Sequence, residues 1–481
     1  MTRENPHQTA TDYLAERQTH WNQVGQKMRR WRGWGGYYHR RLNQVYGNMI
    51  SPESRVLDIG CGNGDLLAAL KPEYGVGVDL SSEMIALAKE RHPELSFINQ
   101  NAEDFNTNEK FNFIILSDIL NEAWDVQGLL EHLKPMLFDN GRILINLHSR
   151  LWELPLKLGA WLGVSKPGLG KNWLTLTDLI NLMHLAGFDC IKTSHEILYP
   201  FYIPLLSEFL DRFLVRFWPF NHLALVNFLV ARKDPKPWES KKEPRVSVIV
   251  PARNESGNIE QILSRIPEMG SGTEIVFCEG HSTDGTYETI QEGIRRHPEK
   301  RSLCLWQTGK GKGDAVRLGF NQASGDILMI LDADLTVAPE DLPRFYQALV
   351  NGRGEFINGV RLVYPMQDEA MRFLNLIGNK FFSLAFSWLL SQPVKDTLCG
   401  TKVLWKRDYE RIAANRQVFG NFDPFGDFDL LFGAARLNFK IVDLPIRYRA
   451  RMYGATNISR WKHGWLLFRM LIFAARRIKF I

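Results

Sequence analysis

Residues 327–335 read ILMILDADL, an apolar run delivering Asp332 and Asp334 two positions apart. Alternation along a strand would point both carboxylates the same way. A carboxylate pair of this kind suits a hard divalent cation, Mg²⁺ or Mn²⁺, which completes its shell with phosphate oxygens and water. Such an ion neutralises a departing diphosphate. Upstream, residues 246–255 (VSVIVPARNE) run a buried strand into Pro251, Arg253 and Glu255. Residues 273–286 end a second strand in EGHSTDGT, with Glu279 and Asp284. Carboxylates at the carboxyl ends of neighbouring parallel strands line the crevice where α/β sheets bind nucleotides. Residues 308–313 (TGKGKG) place Lys310 and Lys312 before a helix expected to start near Asp314. Glycines, lysines and a helix N-terminus favour a diphosphate, although GxxxxGK[ST] is absent. A nucleoside diphosphate held with a metal is the chemistry these four segments imply.

The first half carries a different turn. Residues 55–64 read RVLDIGCGNG, a short strand followed by Gly60, Gly62 and Gly64. Glycines let the backbone approach a ligand that a Cβ would exclude. A second strand, residues 74–78, ends in Asp79, an acid placed to accept from both hydroxyls of a ribose. The turn lacks the third glycine of GxGxxG. Asp58, read as lying inside it, would attract an ammonium and repel a pyrophosphate. Residues 99–104 (NQNAED) follow the next apolar run, where an adenine edge can be read. These details favour S-adenosylmethionine over a dinucleotide. Methyl transfer from a sulfonium asks mainly for positioning and, with a hydroxyl acceptor, a base. His148 is a candidate for that base.

With these segments in view, the first half resembles the class I S-adenosylmethionine-dependent methyltransferases across residues 54–233. VLDIGCGNG, GVDLS, NAED, FNFIILSDILNEAWD and NGRILIN carry the likeness. It implies that Asp58, Gly60, Gly62, Asp79, Ala102 and Glu103 line the cofactor, with Ser117 and Asp118 above it. Residues 245–469 resemble the family 2 glycosyltransferases of GT-A fold through PARNE, EGHSTDGT, GKGDAVRLGF and LDADL. Glu279 stands where many members have aspartate. Residues 359–361 (GVR), 394–402 (VKDTLCGTK), 425–430 (FGDFDL) and 447–460 (RYRARMYGATNISR) look like the polyprenyl-phosphate sugar transferases. The processive motif QxxRW is absent, which argues against polysaccharide synthases.

The second resemblance implies inverting transfer from a nucleoside diphosphate sugar. Pro251, Arg253, Glu255, Glu279, Asp284, Lys310, Lys312 and Asp332 are then the donor residues, and Asp332 and Asp334 the metal pair. A phosphate monoester acceptor arrives as an anion and needs cations rather than a base. Arg361, Lys402, Arg447, Arg449 and Arg451 suit that task. A hydroxyl acceptor would instead need a base, and Asp427 or Asp429 is available. The rival readings are a hydroxyl acceptor, or a first half kept as a non-catalytic scaffold.

The elements that position these residues form two α/β domains, each a mostly parallel sheet with helices on both faces. Short apolar runs alternate with helical patterns throughout. The boundaries are residues 1–233, for which the resemblance implies a Rossmann-like class I methyltransferase fold, and residues 245–481, for which it implies a GT-A fold. The proline-rich, charged stretch 234–244 is the linker. Residues 1–50 form a helical lid over the cofactor or a docking segment. Composition agrees: hydrophobic residues are 45%, charged residues 23%, and the net charge is +6, values of an ordinary globular chain. The five cysteines have no CxxC pairing, so neither a zinc site nor a disulfide framework is expected. A cytoplasmic location follows.

No uninterrupted apolar stretch reaches membrane-spanning length. Residues 197–220, 371–390 and 464–481 come partway. Each suits either a membrane surface or a protein core. No acidic residue follows Asp443, while nine Lys or Arg residues do. This tail fits anionic partners. Peripheral contact with the inner face of the cell membrane is expected, with no nucleic-acid partner.

Overall fold

The computed structural model describes residues 9–28, 36–161, 169–238, 242–361, 363–364, 373–416, 428–449, 451, 453 and 460–480. The chain divides into two compact units, Met1–Asp234 with Phe480–Ile481, and Pro235–Lys479.

The first unit is built on seven strands: β1 Arg55–Ile59, β2 Tyr74–Asp79, β3 Ser96–Asn99, β4 Phe111–Ser117, β5 Leu137–His148, β6 Phe188–Glu196 and β7 Val226–Lys233. Their order in the sheet is β3-β2-β1-β4-β5-β7-β6. All neighbours are parallel except β7, which runs antiparallel to both β5 and β6. Strands buried on both faces are near-continuously apolar. Val56, Leu57 and Ile59 of β1, and Ile114, Ile115 and Leu116 of β4, are accordingly fully enclosed. Side chains of opposite parity feed separate cores, one around Leu57, Ile114 and Leu129, the other around Val56, Ile115 and Leu144. Each fully buried aliphatic side chain contributes about 1.5–3 kcal/mol. Helix Gly36–Met49 joins the second core through Leu42, Val45 and Tyr46.

The second unit has β8 Val246–Ala252, β9 Thr273–Glu279, β10 Arg301–Trp306, β11 Ile327–Ile330, β12 Phe356–Val360, β13 Lys402–Trp405 and β14 Ile441–Pro445. The order is β10-β9-β8-β11-β13-β12-β14, with β13 alone antiparallel to its neighbours. A core around Val248, Phe277, Met329 and Phe345 holds the β8–β9–β11 block rigid. The stretch read as a linker is anchored here. Trp238 stacks on Trp405 with ring centroids 4.9 Å apart, and its backbone N–H donates to the Val350 carbonyl at 2.8 Å.

Two expectations change at element ends. Asp58 lies within β1 rather than in the turn after it. Strand β11 stops at Ile330, so strand alternation does not orient Asp332 and Asp334, which occupy the loop beyond it.

Candidate functional site

In the first unit the loops after β1, β2, β4 and β5 converge at the carboxyl edge of the sheet. Gly60, Gly62 and Gly64 all have positive φ, at 76°, 52° and 77°, a region that favours glycine. A Cβ on Gly60 would collide with Ile119, while one on Gly62 would meet nothing within 4 Å. Asp79 is tied into this turn: its carboxylate accepts from Gly62 N at 2.9 Å and Ser81 N at 2.8 Å. Asp58 is only 1% exposed, and neither of its carboxylate oxygens has a hydrogen-bond partner among the described residues. Burial, with Asp79's charge adding, pushes its carboxyl up to about 7. A buried acid without a partner is costly unless a ligand supplies one. An ammonium group would supply that partner, so the residues present suit S-adenosylmethionine.

The other wall is a polar network. Asp118, held at φ 60°, accepts from Tyr38 Oη at 2.8 Å and from Asn146 Nδ2 at 2.7 Å. Tyr46 Oη donates to Asn146 Oδ1 at 2.6 Å. His148 stacks on Tyr38, and its Nδ1 is 3.5 Å from Asp118 Oδ1. Burial holds the imidazole below its ordinary value, against the pull of Asp118. Ser117 ends β4, in register with Asn146. Ala102 packs beside the core, and Glu103 accepts from Asp125 N at 3.3 Å. Helix Ala10–Met28 bridges these loops: Asn22 accepts from Ser81 Oγ at 2.7 Å, and Trp21 Nε1 donates to Glu122 at 2.6 Å. Sequence reading missed the Tyr38–Asp118–Asn146 network, because nothing in local spacing joins helix Gly36–Met49 to the ends of β4 and β5.

In the second unit, Pro251 is the penultimate residue of strand β8 and Arg253 is exposed just beyond it. Glu279, fully buried, accepts from His281 N and Ser282 N at 3.2 and 2.6 Å. Asp284 is engaged by Ser256 and Thr286 and so knits the β8 loop to the β9 loop. Burial alone would raise its carboxyl; those donors hold it below the usual range. The helix after the TGKGKG turn spans Lys312–Gln322, two residues earlier than expected. Lys310 is exposed, while Lys312 reaches back to Asp332 with Nζ–Oδ1 2.7 Å. Burial would raise the Asp332 carboxyl, but Lys312, Arg361 and Lys402 together hold it low. Asp334 accepts from Thr336 N and Oγ1 through Oδ1, while Oδ2 meets Arg451 at 2.7 Å. The other arm of Arg451 meets Glu255 at 3.2 Å.

Both carboxylates thus already have a cation beside them. Hard oxygen donors at this spot fit Mg²⁺ or Mn²⁺. Among the described residues no cluster of three His, Cys, Asp or Glu side chains stands ready for a metal, and an ion using one or two carboxylates plus phosphate oxygens needs none. Gly400 is a residue that sequence reading missed. A Cβ there would collide with the Asp332 carboxylate and the Lys312 ammonium, so glycine is what lets this loop close on the pair.

The five acceptor cations do not meet at one point. Arg361 makes a two-armed pair with buried Asp396 at 2.7 and 2.9 Å. Lys402 is fully buried and donates to the Cys399 carbonyl. Arg447 and Arg449 are exposed, whereas Arg451 faces the donor side. Asp429 is buried at the start of helix Phe428–Arg436 and pairs with Arg416 at 2.7 Å. Asp427 lies outside the described residues.

Residues 28–193 match the family described as Methyltransferase domain, and residues 247–411 match Glycosyl transferase family 2. A dolichol-phosphate mannosyltransferase of Pyrococcus furiosus is 30% identical over 220 residues, covering 45% of this chain and 59% of that protein. The chain therefore spans less than two thirds of that relative's length. Glycosyltransferase AglJ of Haloferax volcanii is 27% identical, covering 46% of this chain and 69% of the relative. Among solved structures, glucosyl-3-phosphoglycerate synthase from Mycobacterium tuberculosis, in complex with Mn²⁺, UDP and glucosyl-3-phosphoglycerate, is 18% identical with TM-score 0.36. It covers 49% of this chain and 80% of its own. A SAM-dependent methyltransferase of Thermotoga maritima is 16% identical with TM-score 0.36, covering 45% and 99%. The two family matches fall on the two crevices just described: the chain carries a methyltransferase domain followed by a family 2 glycosyltransferase domain.

Proposed function

We propose that the second unit transfers a sugar, with inversion, from a nucleoside diphosphate sugar to a polyprenyl phosphate, and that the first unit methylates the sugar or a glycan built on it. The observation that carries the donor reading is the Asp332–Asp334 pair beside Lys312 at the carboxyl edge of β8, β9 and β11. Pro251, Arg253, Glu255, Glu279, Asp284 and Lys310 lie at or after the carboxyl ends of β8, β9 and β10. A bound Mg²⁺ or Mn²⁺ would be held by Asp332 and Asp334 and would neutralise the departing diphosphate. Lys312 and the glycine-rich turn then orient the diphosphate oxygens.

The lipid acceptor reading has two supports. The Pyrococcus furiosus relative bears the name dolichol-phosphate mannosyltransferase, and one from Edwardsiella ictaluri, 33% identical over 111 residues, is an undecaprenyl-phosphate sugar transferase. Within the second unit, helices Phe373–Leu390 and Arg460–Ala474 pack together. They expose Phe381, Leu384, Trp465, Phe468 and Ile472 beside exposed Lys380, Arg469 and Arg476, and neither helix holds an acid. Aromatic and cationic side chains sharing a face suit an anionic bilayer surface. Among the described residues no helix is long and apolar enough to cross a membrane; the contact proposed here is along the surface, on the side of the membrane that supplies nucleotide sugars. Exposed Arg447 and Arg449 would meet the acceptor phosphate first.

In the first unit, S-adenosylmethionine supplies the methyl group as a sulfonium. Asp58 receives the ammonium, Asp79 the ribose, and Ala102 and Glu103 the adenine side, with Ser117 and Asp118 lining the far wall. Helix Ala10–Met28 is the lid. His148, kept neutral by burial and steadied by Asp118, takes the proton of a hydroxyl acceptor.

The test is a panel in which the full chain is given GDP-mannose, UDP-glucose or UDP-N-acetylglucosamine with Mn²⁺, and either undecaprenyl phosphate or undecaprenol. Product with the phosphate alone supports the reading; product with the free alcohol alone moves the acceptor to a hydroxyl.

A further inference from the structure

The sequence assigns Arg451 to the acceptor, but its contacts are on the donor side. Its two guanidinium arms join Asp334 at 2.7 Å and Glu255 at 3.2 Å. These carboxylates are only 14% and 9% exposed, and the arginine 27%. Arg449 and Tyr453, two positions to either side, are attached to the same crevice. Arg449 N donates to the Thr336 carbonyl at 3.0 Å, and Tyr453 Oη lies 3.0 Å from Ser256 Oγ. Tyr453 also packs where a Cβ on Gly257 would stand. The position is therefore set by three separate attachments, not by one reaching side chain.

Asp334 has no idle oxygen. Oδ1 is taken by Thr336 N and Oγ1, at 3.1 and 2.7 Å, and Oδ2 by Arg451. A divalent ion that enters on Asp334 comes up against the guanidinium at Oδ2 and the Thr336 donors at Oδ1, so it competes with a cation already in place.

We propose that Arg451 is a donor-side exchange residue: it holds the cation position between Asp334 and Glu255, yields Oδ2 to the divalent ion, and moves its guanidinium onto the donor's diphosphate. This rests on the metal-dependent donor reading above and adds a direction to it. Metal alone must break a two-armed ion pair in a sheltered crevice. Metal arriving with a diphosphate leaves the guanidinium a new bidentate partner. Metal and nucleoside diphosphate therefore assist each other, and the coupling is the same from either side.

The experiment measures Mn²⁺ binding to the full chain, by the electron paramagnetic resonance signal of free Mn²⁺, alone and with UDP or GDP present. For the wild type, weak binding of Mn²⁺ alone is expected, tightened at least tenfold by the diphosphate. Arg451→Gln removes the competing charge, so Mn²⁺ alone binds about tenfold more tightly than to the wild type, and the gain from diphosphate shrinks at least fivefold. If R451Q does not fold, judged by its thermal transition with S-adenosylhomocysteine, R451M takes its place. Methionine keeps an unbranched stem and also removes the competing charge, so Mn²⁺ alone again binds more tightly than to the wild type. Mn²⁺ binding no tighter in the variant overturns the proposal while leaving the metal site standing. Absence of Mn²⁺ binding in both proteins, with either diphosphate, overturns the metal reading and the proposal with it.

Discussion

The two crevices treat their carboxylates in opposite ways. In the first, Asp58 is buried, neither of its oxygens has a partner among the described residues, and its carboxyl is pushed up to about 7. In the second, Asp332 and Asp334 each have a cation within 2.7 Å, and Asp332 is held below the usual carboxylate range. A buried carboxyl to which the described residues bring no counter-charge is suited to a ligand that carries its own positive charge, as the ammonium of S-adenosylmethionine does. A neutralised site is suited to an anionic donor that arrives with an ion, since cations already present can be exchanged or shared. The two sheets end in similar carboxylate-lined edges. What separates their chemistry is whether the protein supplies the counter-charge.

The sharpest way to break this comparison is to remove the charges of the second pair. Asp332→Asn with Asp334→Asn should cut sugar transfer about 10³-fold or more, because the departing diphosphate loses its electrostatic support. S-adenosylhomocysteine affinity should not change. Residual transfer near the wild-type rate would remove the metal from the mechanism. Next in size is His148→Gln, expected to lower methyl transfer about 10²- to 10⁴-fold with S-adenosylhomocysteine affinity unchanged. Equal losses in affinity and rate would make His148 a structural residue.

Asp58 gives the pH test of the first crevice. Because its folded carboxyl titrates near 7 against an ordinary value of 3.8, it is largely protonated at pH 6 and must ionise to hold an ammonium. S-adenosylhomocysteine affinity should therefore rise from pH 6 to pH 8 in the wild type. Asp58→Asn should flatten that profile and weaken binding at pH 8 about 10- to 100-fold, the loss of a charge-assisted hydrogen bond. The sign for stability is the reverse. A raised folded value contributes stability that is complete below about 4 and is lost as pH rises through about 7. Without ligand, unfolding of the wild type should become easier across that window by an amount of order a few kcal/mol, and D58N should lose the trend. Constant affinity across pH 6 to 8 in the wild type would detach Asp58 from the ammonium.

The same contrast marks what the sequence makes legible. Gly60, Gly62 and Gly64 can be read from spacing because a backbone at φ of 52–77° admits few other residues. Asp79, Asp332 and Asp334 can be read because they directly follow or end apolar runs that are recognisable as strands. The counter-charges cannot. Arg451 is 117 residues from Asp334, and Tyr38 is 80 residues from Asp118; only the fold brings such pairs together. Composition says that the C-terminal segment is basic, which suggested acceptor binding for Arg451, whereas its contacts are with Glu255 and Asp334. Asp332 and Asp334 were expected to share a strand face, but β11 ends at Ile330 and the loop beyond gives each carboxylate its own partner. Asp429, a possible base by position, turns out to be buried against Arg416. The strand-end acids and glycine turns are thus local properties, and charge pairing is a property of the assembled sheet edge.

The smallest effect concerns what covers the uncompensated crevice. Helix Ala10–Met28 is fastened across it by Trp21 to Glu122 and by Asn22 to Ser81. If the helix is a lid, its closure is part of donor binding, and loosening one fastening costs affinity without touching the donor. Trp21→Phe keeps an aromatic ring but loses the pyrrole half of the indole together with the N–H that donates to Glu122, an interaction of about 1.5–3 kcal/mol at full strength. Much of that is recovered from water at a partly exposed position. S-adenosylhomocysteine binding should therefore weaken by roughly three- to tenfold, chiefly through faster dissociation, since an opened lid shortens the bound lifetime. Sugar-donor binding should not move. An unaltered dissociation rate would mean that the helix docks without gating, and the ammonium hole would then have to be shielded from water by the donor itself.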